Sequence, residues 1–479
     1  MLSHSIRLGP LARLVALALL ALAASASTSA GPRSLRRRDG LRPVFAHVVQ
    51  GDFQTYSQDD YAADMALALS AGIDAFALNV GRDASDGAQL DKAFAAAESI
   101  GFRCFFSLDM NYFNREGASA AILDEYIGKY GAREGHFEWD GKAFLSTFSG
   151  EVPGTFLDGA PSFDDSNAKW TVVLDQAKDK IGKEIYFAPD WNDVALVPKN
   201  TWGGGIMSWA AWGDKGRTND MTLSQDESYL AAAAAAGLDY LAPVAAFFYV
   251  HVAAGNNYVL QSNDFLLPKH YEDLISLNPG PAFVELLSWN DFGEAHYLGP
   301  VRQSAGIPEG AKDYVNTASS DHTPMLWLSA YWNIWFKSGS PPAITSEAVI
   351  YWYRPHPASA TASDDPIAKP EFADTLEDKI QAVVFVPPGS KAARLVVTTG
   401  GKETEPQAVK EGVNLISVNF AAGATGVSLQ DADGNELLGG SGKDIVDSPT
   451  TYDYNHYAYI LPSDATAPYV VRISLQKRA

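Results

Sequence analysis

Residues 57–108 read SQDDYAADMALALSAGIDAFALNVGRDASDGAQLDKAFAAAESIGFRCFFSL, and this stretch decides the fold. Ser57 to Ala71 has helical composition and Gly72 stops it. Ile73 to Val80 is a mostly apolar run of strand length. A second helix, about Gln89 to Ile100, stops at Gly101, and Phe102 to Leu108 is the next strand. A glycine after the last helical residue supplies the left-handed conformation that ends a helix, and short apolar runs between helices are buried strands.

The same unit continues in both directions. Pro43 to Val48 is the first strand. After Leu108 come a helix from about Ala118 to Tyr130 and a strand from Ala143 to Phe148. A helix near Asn167 to Ile181 precedes strands Glu184 to Ala188 and Gly205 to Trp209. The Ala231–Ala236 run belongs to a helix, followed by strand Asp239 to Val244. A helix around Asp264 to Leu277 leads to strand eight, Ala282 to Leu287, and Pro324 to Phe336 is a last helix. Eight strand–helix units imply a parallel sheet and predict a (β/α)8 TIM barrel. An open doubly wound sheet is the competing topology, but no Gly-x-Gly-x-x-Gly or P-loop follows strand one.

The pattern changes near Gly339, where Ser340-Pro341-Pro342 reads as a linker. Beyond it come short β-branched segments: Ala348 to Tyr353, Ile380 to Val386, Arg394 to Thr399, Leu415 to Phe420, Val427 to Gln430, Tyr457 to Leu461 and Tyr469 to Leu475. Strands without helices predict a C-terminal β-sandwich. Asp431-Ala432-Asp433-Gly434-Asn435 has its glycine too early for a calcium loop and reads as a hairpin turn.

At the other end, Arg7 and Arg13 accompany the apolar run Leu14 to Ala23, and small residues follow at Ala24-Ser25-Ala26. This is the form of a secretory signal peptide, too short to span a membrane. Arg36-Arg37-Arg38 suggests further processing. The expected organisation is a signal peptide at 1–26, a pro-segment at 27–38, a catalytic barrel at 39–339 and a β-sandwich at 340–479, in a secreted or wall-associated monomer.

The formal charge is −21; residues 1–38 hold six Arg and no acid, so a chain starting at Asp39 carries about −27. An acidic surface argues against nucleic acid and anionic membranes as partners, whereas a neutral polymer imposes no charge requirement. Cys104 is the sole cysteine, which rules out an internal disulfide, and its apolar neighbours make it a buried thiol.

Barrel chemistry sits at the C-terminal ends of the strands. Those ends carry His47 and Gln50; Asn79; Asp109 and Asn111; Ser149 and Glu151; Asp190 and Trp191; Trp209, Trp212 and Asp214; Phe247, Phe248 and Tyr249; and, after strand eight, Trp289-Asn290-Asp291-Phe292-Gly293-Glu294-Ala295-His296-Tyr297. Aromatic faces suit sugar CH surfaces, while carboxylates and amides suit hydroxyls. Glycosidic cleavage needs two carboxyl groups, and Asp291 and Glu294 are three residues apart. An extended segment would separate them by roughly 7–10 Å, suited to inversion; a helical one would bring them to about 5–6 Å, nearer a retaining geometry. A capping box, with Asp291 as cap and Glu294 as third residue, is the purely structural alternative. Without His-Glu-x-x-His or Gly-x-Ser-x-Gly, neither metal-dependent nor serine hydrolysis is indicated, and no cofactor is expected.

Phe45-Ala46-His47, Gly72 to Gly81, Phe105 to Met110, Pro189-Asp190-Trp191, Trp289 to Pro300 and Tyr351 to Pro357 together resemble glycoside hydrolase family 71, the fungal α-1,3-glucanases or mutanases. The resemblance spans nearly all of the chain after the leader. It implies cofactor-free hydrolysis of α-1,3-glucan with inversion, and maps catalysis onto Asp291 and Glu294. The preferred roles are Glu294 as general acid and Asp291 as base, with the reverse open. His47, Asn79, Asp109 and Asp190 would line the site. Trp191, Trp212, Tyr249 and Trp289 would stack on sugars, with Asn290, His296 and Tyr297 as further contacts. A barrel for another α-glucan linkage, or a non-catalytic wall-binding protein, are the rival readings.

Overall fold

The computed structural model describes residues 42–213, 221–263, 265–315 and 320–463. The leader, the processing site, Asp214 and the Tyr469 to Leu475 segment lie outside them. Among the described residues, eight parallel strands alternate with helices: β1 (Val44–Val49), β2 (Ala75–Val80), β3 (Cys104–Asp109), β4 (Lys142–Phe148), β5 (Ile185–Pro189), β6 (Gly205–Met207), β7 (Asp239–Ala245) and β8 (Phe283–Leu287). They lie side by side in the order β5-β4-β3-β2-β1-β8-β7-β6. This is a curled, mixed α/β architecture. A parallel bridge between Asp190 and Met207, with the Trp191 N–H on Met207 O at 3.1 Å, links the ends of β5 and β6.

Strand periodicity explains the two apolar layers. On one face, Phe45, Ala77, Phe105, Phe144, Tyr186 and Phe283 form the interior of the curl, where Phe45 meets four aromatic rings within 5.5 Å. On the other, Phe76, Leu78, Phe106, Leu145 and Phe187 pack under the helices. Burial on both faces is why the strands read as apolar runs rather than alternating ones.

The helices begin and stop where the residues dictate. Ser57 and Asp60 make a reciprocal capping box on Gln58–Ser70. Asp86–Ile100 ends on Gly101 at φ 76°, a conformation that costs a residue with a Cβ about 1–2 kcal/mol. The helix expected over 118–130 is interrupted by a π turn at Ile122–Tyr126. A hairpin that the sequence did not announce, Tyr249–Ala253 with Asn256–Val259, follows β7.

The C-terminal region is β9 (Ala348–Tyr353), β10 (Lys379–Val386), β11 (Ala392–Thr399), β12 (Gly412–Asn419), β13 (Gly423–Asp431), β14 (Glu436–Ile445) and β15 (Tyr457–Leu461). One antiparallel sheet has the order β12-β10-β9-β15; the other contains β11-β13-β14 and two short strands. Val349, Tyr351, Val384 and Ile416 from the first share a core with Leu395, Val397, Val427 and Leu429 from the second. The Asp431 to Asn435 segment is the expected hairpin turn, with Asp431 Oδ1 accepting from the N–H groups of Asp433 and Asn435 at 2.9 Å each. β14 escaped the sequence reading because its Gly-Gly-Ser-Gly centre hides any strand pattern. Among the described residues no helix is long and apolar enough to cross a membrane.

Candidate active site

The segment after β8 folds back on itself. Ser288 N–H donates to His296 O at 2.7 Å, Leu298 N–H to Ser288 O at 2.9 Å and Gly299 N–H to Trp289 O at 2.8 Å. Its tip, residues 292–295, is a single turn with Ala295 at φ 51°. Asp291 N–H donates to Ser288 Oγ at 2.8 Å, and Glu294 N–H donates to Asp291 Oδ1 at 2.9 Å. The segment is thus neither extended nor helical. Asp291 does cap the turn, but no helix follows.

The turn brings three chemical groups together. His296 Nε2 lies 3.4 Å from Asp291 Oδ2 and 3.2 Å from Glu294 Oε2. One oxygen of each carboxylate and the ring nitrogen all fall within 4.8 Å of one another. The imidazole is wholly buried, set edge-on to Trp212 at 5.1 Å and stacked on Phe248 at 5.6 Å, whereas the Asp291 and Glu294 side chains remain 23% and 33% exposed. The acids therefore reach solvent and their partner does not.

Their protonation follows from that arrangement. Burial alone would depress His296, but the Asp291 and Glu294 carboxylates override it and push its pKa up to about 9. Burial would also raise Asp291; the His296 charge and the Glu294 N–H outweigh it and hold Asp291 low. Glu294 moves the other way, raised by burial and then by the Asp291 charge. Neighbouring carboxyl groups pushed apart in this way are suited to separate acid and base work.

His47 stands close by on β1. Its Nδ1 is 2.8 Å from Glu285 Oε1, and its ring meets Trp209 edge-on at 4.8 Å. It also interacts electrostatically with Asp109 and Asp291. Asp109, at the end of β3, is raised by burial, partly offset by two 3.0 Å hydrogen bonds from Asn111. Asn79 is the penultimate residue of β2, half-buried. Asp190 is fully buried and held well above the ordinary carboxylate range, by burial first and then by the charges of Glu151 and Glu285.

Other expected contact residues are committed to the fold. Trp289 Nε1 donates to Asp64 Oδ2 at 3.0 Å, Asn290 bridges both backbone groups of Val49 at 2.8 and 2.9 Å, and Tyr297 Oη donates to Ser320 O at 2.5 Å. Trp191 and Tyr249 are buried too, and Tyr249 Oη donates to Tyr452 O at 3.0 Å. Trp212 reaches the site through His296.

Two acids were not singled out from the sequence. Glu285 lies in the middle of β8; a charge inside an otherwise apolar strand was the available signal, because a buried charge requires a partner. Asp52, just after β1, is raised to about 8 by burial and by Asp291, against a hydrogen bond from the Phe292 backbone. Only the tertiary fold places it beside the turn.

A curled parallel sheet with paired carboxylates beyond its C-terminal strand ends is an arrangement suited to glycoside hydrolysis. The chain belongs to glycosyl hydrolase family 71, whose model matches residues 40–469. It is 32% identical over 422 residues to a glucan endo-1,3-alpha-glucosidase of Schizosaccharomyces pombe, covering 87% of this chain and 94% of that protein. It is 30% identical over 428 residues to a mutanase of Penicillium rubens, covering 86% and 87%. An ascus wall endo-1,3-alpha-glucanase of Schizosaccharomyces pombe is 27% identical over 395 residues, covering 80% and 87%.

Proposed function

We propose that this protein hydrolyses the α-1,3-glucosidic bonds of α-1,3-glucan, using Glu294 as general acid and Asp291 as general base. The observation that carries the reading is the shared His296, whose Nε2 lies within 3.4 Å of both carboxylates while their side chains stay open to solvent. Glu294 gives its proton to the glycosidic oxygen as the bond to the anomeric carbon breaks. Asp291 takes a proton from the water that forms the new bond there. One water is consumed, and solvent returns the two carboxyl groups to their starting states.

The family resemblance supports inversion. The spacing within 4.8 Å favours a second reading, retention, since inverting pairs are usually about 6.5–9.5 Å apart and retaining pairs about 5–5.5 Å. Under inversion, Glu294 must turn away from His296 when sugar enters.

The same proposal includes closure of the curled sheet into a (β/α)8 barrel, supported by the Asp190–Met207 bridge, and pairing of the C-terminal sheets as a β-sandwich, supported by their common core. It takes residues 39–339 as the barrel, 340–479 as the sandwich, and the protein as a metal-free monomer. The N-terminal signal pattern supports secretion to the cell exterior or wall.

The test compares wild type, Asp291→Asn and Glu294→Gln on purified α-1,3-glucan, with α-1,4- and β-1,3-glucan as controls. Cleavage of the α-1,3 polymer alone, lost roughly 10²–10⁴-fold in each folded variant, is expected. The anomer first released separates inversion from retention. Preference for the α-1,4 polymer would move the protein to another linkage, and a wild type that binds glucan without cleaving it would make it a binding protein.

A further inference from the structure

Resting on the glucanase reading, we infer that residues 452–455 of the C-terminal region brace the Asp291–Glu294 turn, holding it through Asn455, Tyr314 and Tyr249. The turn makes few hydrogen bonds of its own and contains Ala295 at positive φ, a conformation that persists only where its surroundings enforce it. Two lines of contact do so.

In the first, Tyr314 Oη donates to Gly293 O at 2.7 Å, between the two acids, and Asn455 Nδ2 donates to Tyr314 O at 2.8 Å. In the second, Tyr249 N–H donates to Glu294 O at 3.0 Å and Tyr249 Oη donates to Tyr452 O at 3.0 Å. Both lines end in residues 452–455, immediately before β15. Phe292 and Ala295 of the turn share one apolar cluster with Leu376, Tyr452 and Tyr454. His322 extends the contact, its Nδ1 lying 3.0 Å from Tyr297 O and its Nε2 2.8 Å from His456 O.

Tyr314, Tyr249 and Asn455 are buried. They are positioning residues, and they act on the separation of Asp291 from Glu294. The C-terminal region accordingly works as a fixed wall of the active site and not as a tethered substrate-capture module.

The experiment uses the full chain and two isosteric variants. Tyr314→Phe removes the bond to Gly293 O and keeps the ring. Tyr353→Phe removes bonds of 2.7 and 2.6 Å to Thr425 Oγ1 and Lys443 O inside the β sheets, away from the turn. In Tyr314→Phe, kcat on α-1,3-glucan should fall about tenfold with KM within twofold of wild type, and the acid limb of the pH profile should shift. Tyr353→Phe should lower Tm and leave kcat and the pH profile alone. An unchanged kcat in Tyr314→Phe, a KM rise in place of a kcat loss, or equal activity losses in both variants would overturn the inference. A wild type inert on every glucan sinks the glucanase reading alone. The brace is then judged by NMR titration of Glu294, which must differ between wild type and Tyr314→Phe.

Discussion

Nε2 of His296 sits 3.2 Å from Oε2 of Glu294, two residues earlier in the chain, and this contact depends on the turn between them. The same nitrogen serves Asp291 at 3.4 Å. A single buried imidazolium thus neutralises part of a carboxylate pair that would otherwise repel, and leaves the weaker acid, Glu294, beside the stronger acid, Asp291.

The first prediction concerns pH. His296 is raised from its ordinary 6.5 to about 9, so its charged form favours the folded state. That stabilisation is complete below about pH 6.5 and is lost as pH rises through 9. Wild-type Tm should therefore decline between pH 7 and 9.5, and His296→Gln should lack this decline. Thermal melts in a buffer series decide it; a flat wild-type curve would mean that His296 is not charged.

Glu285 should matter to rate more than to stability. Glu285→Gln keeps an acceptor for His47 Nδ1 but removes the charge that faces the imidazole and presses on Asp190. A charge-assisted hydrogen bond is about 1–1.5 kcal/mol stronger than the neutral one that replaces it, so a ring held that much more loosely should lower kcat by about tenfold. Tm at pH 7 should change little, because the weaker bond is offset by relief of the charge that Glu285 presses on Asp190. Parallel kinetics and calorimetry test this, and a large Tm loss with normal kcat would reverse the assignment.

The floor beneath the site is aromatic. Phe45 is fully buried and meets Phe105, Phe137, Phe144 and Phe283 with ring centroids 4.9–5.5 Å away. Phe45→Ala should cost about 3–5 kcal/mol through lost transfer energy and the cavity left behind. Phe45→Leu should cost much less. Denaturant titration distinguishes the two, and equal losses would show that the site collapses around the gap.

Chelation provides a fourth check. The carboxylates of Asp291 and Glu294 already share the His296 nitrogen, an arrangement that a bound cation would have to displace. Activity should survive dialysis against EDTA. A loss reversed by one divalent cation would reassign the three residues as metal ligands.

Much of this was legible in the sequence because it is local. The strand–helix alternation and the Gly101 stop depend on residues a few positions apart, and they appear in the structure with boundaries shifted by up to about four residues. The candidate site could likewise be located by its carboxylates and by the position of β8. Its shape could not, since Asp291 and Glu294 were compatible with strand, helix or turn until the Ser288–His296 and Tyr314–Gly293 bonds closed it.

The aromatic residues show the other side of the boundary. Trp191, Tyr249 and Trp289 have the composition of sugar platforms, yet their rings are buried and their polar atoms or backbone groups are used inside the protein. Exposure is a property of packing between distant segments and leaves no mark on a single residue. The sequence by itself determined the parallel strands, most of the helices and the pair of acids after strand eight, because hydrophobic period, helix stops and residue chemistry are short-range. Tertiary structure alone decided that Glu285 and Asp52 join the site, that His296 is charged, and that residues 452–455 buttress a turn some 160 positions earlier, because burial and electrostatic coupling exist only once the chain has brought remote residues within a few ångströms.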